Sequence, residues 1–371
     1  MREINIASVI IQKRKEKGIT QDALAEYIGV TKASVSKWET AQSYPDITLL
    51  PVLATYFNIS IDELMGYMPQ MTKEDIQKTY TRLMLAFESR PFEEVYEMSQ
   101  GIIKKYYACF PLLLQMALLY LNHHMLAPER SQQLKVLTEA IDLCKRIRTE
   151  SDDVWLVKQA NSFEALGYLM QGEPLMVLDL LEDTIKPMIG DDTTLASAYQ
   201  MMGERSKAKS VLQVSLYQHL LSFIGIAPLY FQVLDDSPTA FESVLGRFTE
   251  VARCFDVYTL NPNVMAQFYY AAARMYHRFD KREAVIDMIE KYTQVCLSMK
   301  FPLTLRGDAF FDAIDDWFKD FDLGNHAPRG EKVIKDSMLI GLTQQPAFAT
   351  YQNDTRYLLC VNKLKQHLGG L

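Results

Sequence analysis

The stretch from Thr20 to Glu39, TQDALAEYIGVTKASVSKWE, constrains this chain more than any other. Thr20 and Thr31 each precede a short run suited to a helix, and a threonine there accepts a hydrogen bond from an N–H that the first turn leaves unpaired. Gly29 stands between the two runs, where a sharp turn between helices needs backbone conformations that glycine adopts freely. Val35 and Trp38 are three apart and share one face of the second run; Leu24 and Ala25 meet them from the first. The spacing predicts two short helices locked together by apolar side chains. Lys32, Ala33, Ser34, Ser36 and Lys37 then fall on the outer face and its flanks.

Similar local signals surround this pair. INIASVIIQKRKEKG puts Ile6, Val9, Ile10 and Lys13 on one helical face and stops at Gly18. In PDITLLPVLATYFN, Thr48 reads as an N-cap, which sets Pro51 in the first turn, where its missing N–H costs little. ISIDELMG is a capping box of Ser60 and Glu63 with Ile59 and Leu64 as its hydrophobic staple. Residues 1–67 therefore read as a five-helix domain. Residues 68–75, with Pro69 and a fresh cap at Thr72, read as a linker, and residues 76–371 as a second domain.

Beyond residue 75 the apolar pattern is helical almost throughout, with no alternating strand run, so the fold class is all-α. Ala165, Tyr168, Gly172, Val177, Leu181 and Thr184 recur at the same offsets as Ala196, Tyr199, Gly203, Ala208, Leu212 and Ser215. A weaker copy runs through Ala273, Tyr276, Asp280 and Ala284. Each unit is a helix pair too small to bury its own apolar face, so stacking must supply the core.

The chain carries a net charge of −7. Residues 1–67 hold seven Lys/Arg and eight Asp/Glu, so any hold on nucleic acid must come from local positive charge. Five scattered cysteines without a CxxC pair predict reduced thiols in a cytoplasmic protein. No secretory signal and no membrane span is expected. His123 and His124 are adjacent rather than four apart and read as a surface helix end, not a metal pair. Asp191–Asp192 and Asp315–Asp316 read as caps. No phosphate loop, nucleophile elbow or zinc-protease motif occurs, so neither an enzyme, a metal nor a cofactor is expected.

The stretch from Thr20 resembles the helix-turn-helix of the XRE (Cro/C1-type) regulators over about residues 5–66. It shares their Thr-Gln, Leu-Ala, Gly-Val-Thr, β-branched Val35, Ser36 and Trp38-Glu39 at matching spacing. The resemblance implies a lambda-repressor-like domain whose third helix enters the major groove of a pseudo-palindromic DNA site. On that reading Lys32 and Lys37 meet guanine or phosphate, Ala33 a thymine methyl, and Ser34 a hydrogen-bonding group. Thr31 and Ser36 flank the groove, and Gln21 touches the backbone. Lys13, Arg14, Lys15 and Lys17 add phosphate contacts or only complement their helix dipole. The repeats resemble tetratricopeptide (TPR) units, implying a TPR-like α-solenoid. The pairing of both parts resembles the peptide-responsive regulators of Gram-positive bacteria (Rgg, PlcR and PrgX types). That implies a homodimeric regulator, repression being the commoner mode, whose solenoid senses a signalling peptide or other effector. Asn161, Tyr168, Tyr199 and Tyr276 are the effector-binding candidates; Asn263, also on a candidate inner helix, reads as a cap. The alternative is an antitoxin-like or docking protein that binds a protein partner and uses its helix-turn-helix only on its own gene.

Overall fold

The computed structural model describes residues 5–67, 70–184, 190–234 and 237–368, so Pro69 of the expected linker lies outside it. Five helices come first: α1 (Ile6–Glu16), α2 (Gln21–Ile28), α3 (Lys32–Glu39), α4 (Leu50–Phe57) and α5 (Ile61–Met65). They enclose a core of Ile6, Ile10, Leu24, Val35, Trp38, Leu53, Phe57 and Leu64. The caps at Thr20, Thr31 and Ser60 form as expected, accepting from Ala23, Ser34 and Glu63 N–H groups. Gly29 ends α2 in the left-handed region at φ 79°, a conformation that costs other residues about 1–2 kcal/mol. Thr48 is not the cap of α4. Asp46 accepts both its N–H and its hydroxyl, forming a 3₁₀ turn at Ile47–Leu49 that delivers Pro51 into the first turn of α4.

The rest of the chain is α6 (Lys73–Ser89), α7 (Phe92–Lys105), α8 (Phe110–His123), α9 (Arg130–Glu150), α10 (Val154–Gln171) and α11 (Pro174–Leu181). It continues through α12 (Asp191–Met201), α13 (Arg205–Val233), α14 (Pro238–Cys254), α15 (Val257–Leu260), α16 (Pro262–Arg278) and α17 (Arg282–Ser298). The last helices are α18 (Asp315–Lys319), α19 (Glu331–Thr343) and α20 (Thr355–Leu368). Among the described residues the fold is all-α, with one isolated bridge between Thr304 and His326. One core gathers α6 to α10 and a second gathers α13 to α20. His123 is buried in the first, stacked on Phe87 with ring centroids 5.0 Å apart, so its surface assignment is corrected. Burial drives its pKa down to about 4, leaving the ring neutral and its Nδ1 on the Leu119 carbonyl.

The sequence repeat corresponds to a repeated turn. Gly172, Gly203 and Asp280 all sit at positive φ, at 85°, 79° and 55°. In each copy the following N–H, of Glu173, Glu204 or Lys281, donates to the carbonyl of Tyr168, Tyr199 or Tyr276. Ala165, Ala196 and Ala273 are buried one turn earlier, where a small side chain lets helices approach.

Residues 299–330 form a strap of mostly irregular chain that returns across the body. Lys73 Nζ donates to the Asp320 carbonyl (2.8 Å), Tyr80 Oη to the Pro328 carbonyl (2.8 Å), and Gln115 Nε2 to Asp322 (3.0 Å). On its other side Gln213 holds the Phe310 carbonyl and the Ala313 N–H at 2.6 and 2.8 Å. Among the described residues one helix, α13, is long and apolar enough to cross a membrane by length and composition. Its Tyr217, Leu220, Ile224, Ala227 and Phe231 lie in the core of the body.

Candidate functional site

On α3 the inward pair Val35 and Trp38 is buried, and Thr31, Lys32, Ala33 and Lys37 are exposed. Ala33, Ser36 and Lys37 share one face, with Lys32 at its edge. The first turn of α3 contains no acidic residue, so the positive end of the helix dipole is uncompensated there. Lys32 Nζ stands 2.7 Å from Asp22 of α2, both well exposed, a pairing worth little in water. The Ser34 hydroxyl lies 2.9 Å from Thr31 Oγ1, turned toward the cap.

Arg14 and Gln21 are placed differently from the expectation. Arg14 Nε and Nη2 bind the two carboxylate oxygens of Glu39 at 2.6 and 3.0 Å, and Nη1 binds the Ile19 carbonyl at 2.9 Å. Gln21 Nε2 donates to the same carboxylate at 2.8 Å. The Glu39 side chain is only 6% exposed and that of Arg14 only 15%, so this triad braces α1, α2 and α3 from inside. The Arg14 guanidinium is thus turned inward, whereas Gln21 commits one amide hydrogen to the triad. Lys13 is engaged as well, 3.2 Å from Glu63 and 3.5 Å from Glu16. Lys15 of α1 and Lys17, the C-cap that follows it, are exposed.

The helical body holds a cavity of about 820 Å³, walled by α13, α16, α19 and the strap, with Asn122 of α8 at its edge. None of Asn161, Tyr168, Tyr199 or Tyr276 lines it. Asn161 donates to the Leu180 carbonyl at 3.3 Å. Tyr168 and Tyr276 are buried, Tyr276 with its ring edge-on to Phe241 at 5.1 Å, and Tyr199 lies under Lys207. Their shared offset serves the repeat turn and its packing, and the cavity is lined by other residues. The cavity wall includes instead Asn263, Gln267, Tyr270 and Arg274 of α16, and Arg329 of the strap. The four α16 residues follow at i, i+4, i+7 and i+11, a helix-face spacing present in the sequence. Arg329 reaches the same space only through the strap's long return, which leaves no local signal.

Residues 10–64 match the family model described as helix-turn-helix. Over 55 residues the chain is 39% identical to the HTH-type transcriptional activator BcrR of Enterococcus faecalis, covering 15% of this chain and 27% of that protein. It is 34% identical over 55 residues to the uncharacterized HTH-type transcriptional regulator YobD of Bacillus subtilis (strain 168), covering 15% and 49%. The chain thus spans about a quarter to a half of the curated relatives it matches. Among solved structures it is similar to Bacillus thuringiensis PlcR in complex with the peptide PapR7 and DNA, at 14% identity and TM-score 0.29, covering 79% of this chain and 94% of that one. Apo ComR from S. thermophilus aligns at 14% identity and TM-score 0.21, covering 79% and 93%. Likenesses so loose carry no weight for fold or function. The chain therefore bears, over residues 10–64, a helix-turn-helix domain of the XRE type, the kind found in transcriptional regulators.

Proposed function

We propose that this protein is a sequence-specific DNA-binding transcriptional regulator that works as a homodimer, its helical body sensing an effector. The observation that carries this reading is the outer face of α3, with Lys32, Ala33, Ser36 and Lys37 over a locked Val35–Trp38 core. A small residue at Ala33 lets the helix approach base edges, while the lysines supply hydrogen-bond donors and phosphate contacts. Lys32→Ala with Lys37→Ala should cost roughly 2–5 kcal/mol of specific binding, at about 1–3 per good contact. Fluorescence anisotropy on DNA from the protein's own upstream region, against unrelated competitor DNA, measures this. An unchanged specific affinity in the double variant would remove α3 from the interface.

With no net positive charge on residues 1–67, one copy gains little from counterion release, so two half-sites are needed for firm binding. The outer face of α13 supports a second copy as the partner. Leu212, Leu216, Phe223, Ile226, Tyr230 and Val233 are all exposed there, Ile226 by 58% and Val233 by 77%. With His219 they fall at alternating steps of four and three residues, the heptad rhythm that pairs one helix with another. The seam runs about 32 Å at 1.5 Å per residue, and an antiparallel pairing of two copies would close it about a two-fold axis. Leu216→Glu with Ile226→Glu should convert the full chain to a monomer in sedimentation and weaken its hold on a two-half-site duplex by tenfold or more. A dimer that survives both charges would place the contact elsewhere.

A further inference from the structure

We propose that the cavity between α16, α19 and the strap binds a small ligand with an anionic head, a carboxylate or a phosphate ester, and an apolar tail. This rests on the reading that the helical body senses an effector, and it names the chemistry of that effector. The volume, about 820 Å³, lies in the range that encloses a small organic molecule. Ala266 and Ala271, set among the polar residues of the α16 wall, keep that wall low and leave the space open.

The charged side chains that line the cavity are of one sign. The chain has 46 Asp and Glu, yet none is among the cavity-lining residues, which include Arg274 and Arg329. Several guanidinium groups elsewhere are matched by carboxylates: Arg14 by Glu39, Arg148 by Glu164, and Arg356 by Glu283, Asp287 and Glu290. Among the described residues neither Arg274 nor Arg329 has an ion pair. Arg329 gives its Nε to the Asn122 side-chain oxygen at 3.1 Å and is half-buried. Burial draws its pKa below the ordinary guanidinium value, the mark of a charge losing water without gaining an anion. An entering carboxylate or phosphate would take the remaining Arg329 donors and those of Arg274 in the two-pronged geometry guanidinium favours. Asn263 and Gln267 add neutral donors along the same helix face. Leu303, Leu305, Ile334 and Met338 line the remainder and suit an apolar tail. A cationic ligand would find no carboxylate to receive it.

The test is calorimetric titration of the full-length chain with octanoate, octyl phosphate and the uncharged octanamide, and with acetate and inorganic phosphate as tail-less heads. At least one tailed anion should bind tenfold or more tighter than octanamide, and tighter than its own tail-less head. Whichever tailed anion binds more tightly assigns the head as carboxylate or phosphate. Arg274→Gln and Arg329→Gln should each lose about tenfold in that affinity and leave octanamide unaffected. Arg274 is exposed and has no hydrogen bond or ion pair among the described residues, so its variant carries the test even if Arg329→Gln unfolds the strap. Octanamide binding as tightly as the anions, no probe binding, or an unchanged Arg274→Gln would each overturn the proposal. Operator affinity of the same chain with and without the bound anion separates the two readings. Anion binding that leaves DNA affinity unmoved would keep the site and remove its effector role.

Discussion

Replacing Trp38 by alanine should unfold residues 5–67 and leave the helical body folded. Trp38 is buried beside Val35 and Leu24 in the only core these five helices share among the described residues. Truncating a buried tryptophan costs about 3–5 kcal/mol from lost burial and the void left behind. A domain of about 60 residues buries too little surface to hold much more stability than that. The body has its own cores in α6–α10 and α13–α20, to which Trp38 contributes nothing. Thermal denaturation followed by circular dichroism should thus show a small early loss of helix ahead of an unaltered main transition. Specific DNA binding should disappear at temperatures where the body is intact. A variant that keeps wild-type DNA affinity would mean that α3 is held by something other than this core.

Replacing Arg14 by alanine should destabilise the same domain by about 3–5 kcal/mol at neutral pH, because it strands a buried carboxylate. The loss should shrink as the solution is acidified. In the wild type, burial by itself pushes the Glu39 carboxyl up. The hydrogen bonds from Arg14 and Gln21, with the Arg14 charge, outweigh it and hold the pKa below the usual range. A carboxyl so depressed stabilises the fold fully above its unfolded pKa of about 4.3. That contribution is lost as pH falls through the folded value. The variant lacks the cation, so protonating its stranded Glu39 relieves it. Urea denaturation followed by the early loss of helix in circular dichroism at pH 7, 5, 4 and 3 should show the two proteins converging toward acid. A constant gap across that range would mean Arg14 acts by packing alone.

The parts of this molecule written in neighbouring residues could be read from them. Thr20, Gly29, Thr31 and Ser60 each act on a backbone group within about four positions, so their roles follow from local chemistry. The Tyr168, Tyr199 and Tyr276 offset was a true signal, and its regularity belongs to the turn beside each tyrosine. Thr48 lost its capping role to Asp46, two residues away, because a carboxylate accepts from both its N–H and hydroxyl. Arg14 and Gln21 looked like surface donors, and nothing nearby announces Glu39 as their partner. The cavity was the least readable feature. Its walls come from residues as distant as Asn122 and Gly341, and only the strap brings them together.

That strap also bears on how the body comes apart. In an open array of repeats each unit touches only its neighbours, so the ends fray first and stability adds up unit by unit. Here Lys73, Tyr80 and Asn122 of the body's opening helices are tied to Asp320, Pro328 and Arg329. The chain has clasped its own beginning with a segment made some two hundred residues later. Denaturation should then proceed as one cooperative event, and trimming the C-terminus would remove no spare unit but release the first helices along with the last.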